Sequence, residues 1–293
     1  MKHEIGYGKH EISFYRAHAT PLQAVPPIPE SDFTGRSNLL LAGVATVDVF
    51  GDNFLPAYTE GDNRDVVATD TMKNFVYAMT LEYTGATTEG LAAFLGRRFL
   101  DTYAHVRRVR VRIEETPFRD LSDKLLAAAG GDRGMASVDV AREGLVDVEC
   151  ARLDLRLIKL TGSAFAAFQR DRFTTLPDVQ DRPLHVYLDV GWRYSDPQAA
   201  LAGTAAGLVP SEQVRDLVAH TFDNFVSMSI QHLVHEMGVR LLDRFGALSE
   251  VSFSAQNRLW DTSGVSERDP KVRVFSNPKP AHGHITLRLQ RDG

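Results

Sequence analysis

Alternation of apolar and polar residues, in runs long enough to be strands and arranged in the same order twice, constrains this chain more than any other feature. Within Leu39–Phe50 the pattern is cleanest from Val44 onward. Val44, Thr46, Asp48 and Phe50 share one face, while Ala45, Val47 and Val49 share the other. Residues 10–18 alternate less regularly through Ile12, Phe14 and Tyr15 and read as a preceding strand. Val66-Val67-Ala68 reads as the end of a further short strand. Thr69-Asp70 follows as a helix start, with the Asp70 carboxylate expected to accept a hydrogen bond from the free amides of the first turn. Thr88-Glu89 opens a second helix, with Leu91, Phe94, Leu95 and Phe99 at helical spacing. Val106–Glu115 then alternates again, burying Val109, Val111 and Ile113. A Gly-rich loop near Gly130 and Gly131 separates this half from the next.

The second half repeats the order. Val146–Leu160 is a long alternating strand, Ser163–Arg172 a short helical stretch, and Leu184–Tyr194 a strand. Pro210-Ser211 starts a helical region to Phe245, with a break at Ser227 and Ser229 and a fresh start at Ile230-Gln231. Strands at 248–256, 271–276 and 284–290 complete the chain. Two strands, a helix pair and two strands, twice over, predict an α+β protein with largely antiparallel sheet. A Pro-rich loop from Pro21 to Arg36 is an excursion from that sheet, because proline donates nothing to a ladder.

Several function classes are excluded by composition. The net charge of −5 supplies no basic field for nucleic acid or an anionic membrane. Arginines 107, 108, 110 and 112 fall on an alternating strand, where they read as a solvated or inter-subunit face rather than a nucleic-acid stripe. Cys150 is the only cysteine, so no internal disulfide forms and a reducing compartment fits. The N-terminal residues carry no apolar signal region, no run is long enough to span a bilayer, and Gln290–Gly293 do not end in a peroxisomal tripeptide. The expected location is cytoplasmic. No HExxH, GxGxxG after a strand, P-loop or GxSxG elbow occurs. His232, His235 and Glu236 have helical spacing but read as a polar helix face rather than a metal site.

The stretch from Tyr58 to Tyr77, centred on VVATDTMKN, resembles the signature of the urate oxidase (uricase) family over some twenty positions. The resemblance implies two tandem tunnelling-fold (T-fold) domains, expected at residues 1–140 and 141–293, in a homotetramer with active sites at subunit interfaces. It implies oxidation of urate by dioxygen and water to 5-hydroxyisourate and hydrogen peroxide, with no metal or organic cofactor. Tyr7-Gly8-Lys9 resembles the family's N-terminal segment, which gives Lys9 and Thr69 the catalytic proton relay and Asp70 a backbone contact to the ring. FAAFQRDRFTTLPDVQDR resembles the segment in which Phe165 stacks on the substrate and Arg182 grips it. SMSIQ resembles the segment in which Ile230 offers a backbone N–H and Gln231 binds the substrate edge, and Asn257 of QNRLW matches the residue that holds dioxygen or water.

The chemistry suits a flat purine anion. A guanidinium donates two bonds to one heterocycle edge, a glutamine offers donor and acceptor, and a phenylalanine stacks without polar competition. One position departs from the family pattern: Leu259 stands where the family has a histidine that completes the relay. A catalytically silent purine- or pterin-binding T-fold protein is therefore the alternative. The Pro-rich loop has no counterpart in the usual family pattern.

Overall fold

The computed structural model describes residues 3–291 apart from Pro278, so the last two residues of the C-terminal tripeptide reading lie outside the described part. The chain begins with β1 (Gly6–Ala17) and β2 (Leu40–Phe50), followed by the short helix α1 (Leu55–Thr59) and the longer α2 (Thr69–Glu82) and α3 (Thr88–Thr102). Next come β3 (Arg108–Glu115), a small ribbon of β4 (Phe118–Asp120) and β5 (Leu126–Ala128), and β6 (Arg133–Ala141). The second half runs β7 (Gly144–Lys159), β8 (Leu184–Tyr194), α4 (Ser211–Asn224), α5 (Ile230–Arg244) and β9 (Leu248–Asn257). A second ribbon, β10 (Thr262–Val265) with β11 (Arg273–Phe275), precedes β12 (Gly283–Gln290).

Eight of these strands form one continuous antiparallel sheet in the order β1-β2-β3-β6-β7-β8-β9-β12. Helices cover one face only: α2 packs on β1, α3 on β3 and β6, α4 on β7, and α5 on β9 and β12. Period-two alternation therefore has one buried destination. Ala45, Val47, Val49, Val109, Val111 and Ile113 turn into the helix layer, each at most 1 % exposed. The opposite face is charged, and the arginines predicted to be solvated stand there. Arg108 and Arg110 both pair with the buried carboxylate of Asp139, and Arg112 pairs with Glu114. Arg107 lies just before β3. Burial alone would raise the Asp139 pKa, but the two guanidiniums hold the carboxyl below its usual range. No helix among the described residues is long and apolar enough to cross a membrane.

Three expectations about elements require correction. Val66–Ala68 is not a strand end; it is an irregular lead-in to α2, its Val67 amide taken by the Tyr7 hydroxyl. Ser163–Arg172 is not helical; it is a loop stitched by backbone bonds to Val179 and Ser227. The loop at Gly130-Gly131 leads into β6, which pairs with β3. Apolar residues cluster on both parities of Arg133–Ala141, which blurs the alternation. The ribbon strand β10 is exposed throughout and has no apolar signal to read. The Pro21–Arg36 excursion stays off the sheet, burying Leu22 and Val25 against Ala86 in a separate small cluster.

Two helical glycines set the spacing between the layers. A Cβ at Gly96 in α3 would come within 2.5 Å of the Val140 methyl on β6, and one at Gly238 in α5 within 2.5 Å of Leu289 on β12. Overpacking a tight layer costs about 1–3 kcal/mol. Gly96→Val is expected to destabilise the chain by that amount, read as a lower denaturant midpoint with an unchanged slope.

Candidate functional site

Two groups of predicted site residues assemble, at different places. The first lies where β1 meets the start of α2. The Val67 amide donates to the Tyr7 hydroxyl at 2.8 Å, and the Tyr58 hydroxyl donates to the Gly6 carbonyl at 3.1 Å. Tyr7 and Lys9 are two apart on one strand, so they share a side of β1, and Val67 is two residues before Thr69. The two tyrosines thus bring Lys9 towards Thr69 and Asp70. Burial raises the Tyr7 pKa, opposed by its bond to the Val67 amide, so the phenol stays neutral as an acceptor.

Thr69 is the first residue of α2, and the cap residue Ala68 offers no side-chain acceptor. The expected capping role of Asp70 is not what the structure has. Its carboxylate pairs with Lys73 and accepts from the Asn74 amide at 3.2 Å, one turn on. The Lys73 hydrogen bond holds the Asp70 carboxyl below its usual range, and the charge of Lys9 adds a smaller pull the same way. With the carboxylate turned along the helix, the first-turn amides face outward and favour an anion.

The second group lies where the 160–183 loop meets the start of α5. Phe165 and Val179 exchange backbone bonds of 2.7 and 2.9 Å, the Arg182 amide donates to Ser163, and the Ala164 amide donates to Ser227 at 2.8 Å. Asp181 closes the loop base by accepting from Thr161 and the Gly162 amide. The Arg182 guanidinium stands over the Phe165 ring at 5.2 Å, and the Phe168 ring stacks against that of Phe165 at 4.8 Å. Ser229 caps α5 by accepting from the His232 amide at 3.0 Å, which leaves Ile230 and Gln231 as the exposed-amide end of the helix. Lys159 fixes the turn before it, donating to the Phe222, Asp223 and Phe225 carbonyls. Asn257 ends β9 opposite Val186.

Among the described residues, Arg182 Nε, Asn257 Oδ1 and His185 Nδ1 are buried without a hydrogen-bond partner. Unpaired buried polar atoms are uncommon and costly, so a group of them near one loop makes that loop a candidate ligand site. Burial lowers the Arg182 pKa, as expected for a desolvated cation. Leu259, just past β9, is 44 % exposed. His232 and Glu236 do not converge on a metal: one imidazole nitrogen meets the Met228 amide and the carboxylate pairs with Arg240. Sequence reasoning named Tyr7 and Tyr58 only as parts of matched stretches and missed Lys159 and Asp181; all four pin backbone.

The two groups do not meet within one chain. β1 is the first strand of the sheet and β8 the sixth, which is about 24 Å at the usual strand spacing. Yet the chain contains a close analogue of their meeting. The same interval, about 142 residues, separates Thr69 from Ser211, Thr88 from Ile230 and Glu115 from Asn257, at matching positions of matching elements. Lys9 and Arg152 each precede a bulge carrying a left-handed residue, Glu11 and Asp154. The Leu22–Arg36 and Phe165–Val179 bridges also correspond. Where β6 pairs with β7, the counterparts of the two groups therefore stand together. Arg152 donates to Ser211 at 3.2 Å, and Arg36 bridges Glu115 and Glu212.

Glu89, the counterpart of Gln231, is buried there, and burial together with the Glu115 charge pushes its pKa from 4.5 up to about 7. A raised carboxyl pKa means that the folded state holds the proton more tightly than the unfolded state. Stability from this group is full below about pH 4.5 and declines as pH rises to about 7. Glu89→Gln is expected to flatten that decline, as measured by denaturant titrations at a series of pH values.

The fold and these two groups define a class: an α+β protein with one large antiparallel sheet, whose loop and helix ends gather an arginine, an aromatic ring and amides. The Uricase family model matches residues 51–137 and 150–286, and the chain belongs to the uricase family. It is 41 % identical over 303 residues to the uricase of Haloferax volcanii, covering 98 % of both chains. It is 38 % identical over 303 residues to the uric acid degradation bifunctional protein PucL of Bacillus subtilis, covering 98 % of this chain and 61 % of that longer protein. A uricase crystal structure from Bacillus fastidious superposes with a TM-score of 0.94 at 37 % identity, over 98 % of this chain and 93 % of that one.

Proposed function

We propose that the chain is a urate oxidase that converts urate, dioxygen and water to 5-hydroxyisourate and hydrogen peroxide, without metal or organic cofactor, in the cytoplasm. The observation that carries this reading is the Phe165–Arg182 stack beside the capped start of α5. A guanidinium with a free buried Nε and a ring 5.2 Å from it suit the edge and face of a planar anion. Gln231 adds a donor and an acceptor to one amide edge, the Ile230 amide adds a donor, and Asn257 holds dioxygen or water above the ring. A ligand lacking either edge leaves Arg182 or Gln231 unpaired, which gives selectivity.

Oxygen must draw electrons from the ring, so the ring must first be made more electron-rich. Lys9 takes the proton of the Thr69 hydroxyl, and Thr69 in turn takes one from bound urate. Two electrons pass from the urate dianion to dioxygen, which leaves with two protons as peroxide. Water held by Asn257 adds to the oxidised ring and returns a proton through the same relay. The products account for every atom of urate, dioxygen and water.

Each site is shared between copies in a homotetramer, each copy made of two tunnelling-fold units divided near residue 140. Support comes from the internal β6–β7 junction. If β1 of one copy joins β12 of another as β7 joins β6, then Lys9, Thr69 and Asp70 meet Phe165, Arg182, Ile230, Gln231 and Asn257. Both β1 and β12 are edges of the sheet within the chain. Co-assembly of Lys9→Ala with Arg182→Ala chains is then expected to recover part of the turnover that each lacks alone. Absence of recovery in verified mixed assemblies would remove the shared site.

Leu259 motivates one further expectation. Loss of a positioned acid–base group costs about 10²–10⁴-fold, so Lys9→Ala and Thr69→Ala should each lower kcat by that order. Leu259→Ala should cost far less, because ordered water carries the remaining proton transfers. The alternative, a silent purine or pterin binder, wins if the wild-type chain leaves urate absorbance unchanged while Leu259→His turns it over. Turnover should also survive exhaustive treatment with a chelator.

A further inference from the structure

We propose that the junction between the two halves of the chain is a second, closed copy of the candidate site, occupied by the guanidinium of Arg36 and selective for a planar cation. The correspondence across the halves makes the comparison residue by residue. Where the candidate site presents the neutral amides Gln231 and Asn257, the junction presents Glu89 and Glu115, and where the first has Asp70 the second has Glu212. The junction thus changes charge: amides that can serve a planar anion give way to carboxyl groups, of which Glu115, together with Glu212, pairs with a cation. Its arginine comes from the Pro-rich loop, which corresponds to the 160–183 loop carrying Phe165 and Arg182.

The Arg36 guanidinium is held as a ligand would be. Its Nε donates to Glu212 at 2.6 Å, and its two terminal nitrogens reach the two Glu115 oxygens at 2.6 and 3.4 Å. Phe33 lies 5.9 Å from it, and Thr88 supports Glu115 with a 2.7 Å hydrogen bond. Both partner carboxylates are 13 % exposed. A cleft of about 500 Å³, lined in part by Arg36, Glu115, Glu212 and Arg152, reaches the guanidinium. A small solute can therefore arrive where the side chain now lies. The Pro-rich loop then has a role: it carries the plug and fastens the first half to α4 of the second.

Truncation of Arg36 leaves two acidic side chains facing a space shaped for a guanidinium. Arg36→Ala is expected to melt several degrees below wild type. Methylguanidinium at about 10 mM should restore much of that loss by binding only the folded state, while tetramethylammonium chloride at equal concentration should not. Wild type, already plugged, should gain nothing. The triple variant Arg36→Ala, Glu115→Gln, Glu212→Gln should melt above the single variant and ignore methylguanidinium. If Arg36→Ala does not fold, Arg36→Lys takes its place, because an ammonium cannot bridge both carboxylates. Equal responses of wild type and variant, or rescue that persists in the triple variant, would overturn the proposal. The inference uses the candidate site as its template, but the readout is melting rather than urate turnover, so each reading can fail while the other stands.

Discussion

The β6–β7 hairpin pairing is the contact on which the rest of the molecule depends. It joins two similar halves into one ladder, and it sets the register in which the end of one half meets the start of the next. The burial of Cys150, Val138 and Ala136 along this seam commits the helix-facing side of both strands to the core. Their other side carries Asp139 and Glu149, tied to arginines across the ladder. A one-residue slip would exchange those faces, placing carboxylates in the helix layer. Register at the seam is therefore strongly specified.

The same seam gives an internal comparison for the two clusters of candidate-site residues. One cluster is a strand with a helix start; the other is a loop, a helix start and a strand end. Each is half of the arrangement that the seam brings together internally. Glu212 illustrates the tuning that accompanies it. Burial works to raise its pKa, but the Arg36 charge and hydrogen bond outweigh that and hold the carboxyl below its ordinary range. A buried pair of this kind is poor evidence for net stability but good evidence for a specified geometry.

Much of the fold was legible because period two and period 3.6 leave different marks. Leu184–Tyr194 reads as a strand and is β8 over the same residues, and the break at Ser229 is the cap of α5. Loss of signal had physical causes. The 163–172 loop carries helix-forming residues, yet its amides are claimed by Val179 and Ser227, far along the chain. Val66–Ala68 looks like strand, but a tyrosine hydroxyl takes the amide that a ladder would need. Of the candidate site, the individual residues could be proposed through resemblance, whereas the groups that hold them in place could not. The pairing of Gln231 with Glu89, or of Lys9 with Arg152, joins residues of different chemistry and shows only once the backbone positions are compared.

The number of strands in the ladder has its own consequence. Eight is even, and each strand runs opposite to its neighbours, so β1 and β12 point in opposite directions. Laid edge to edge, the last strand of one copy and the first of the next would continue the antiparallel pattern without a parallel mismatch. An odd ladder could not do this. A head-to-tail joint of this kind either closes into a ring or grows without limit, and the curvature of the sheet decides which. Parity of strand number thus would let the joint used within the chain serve between copies as well.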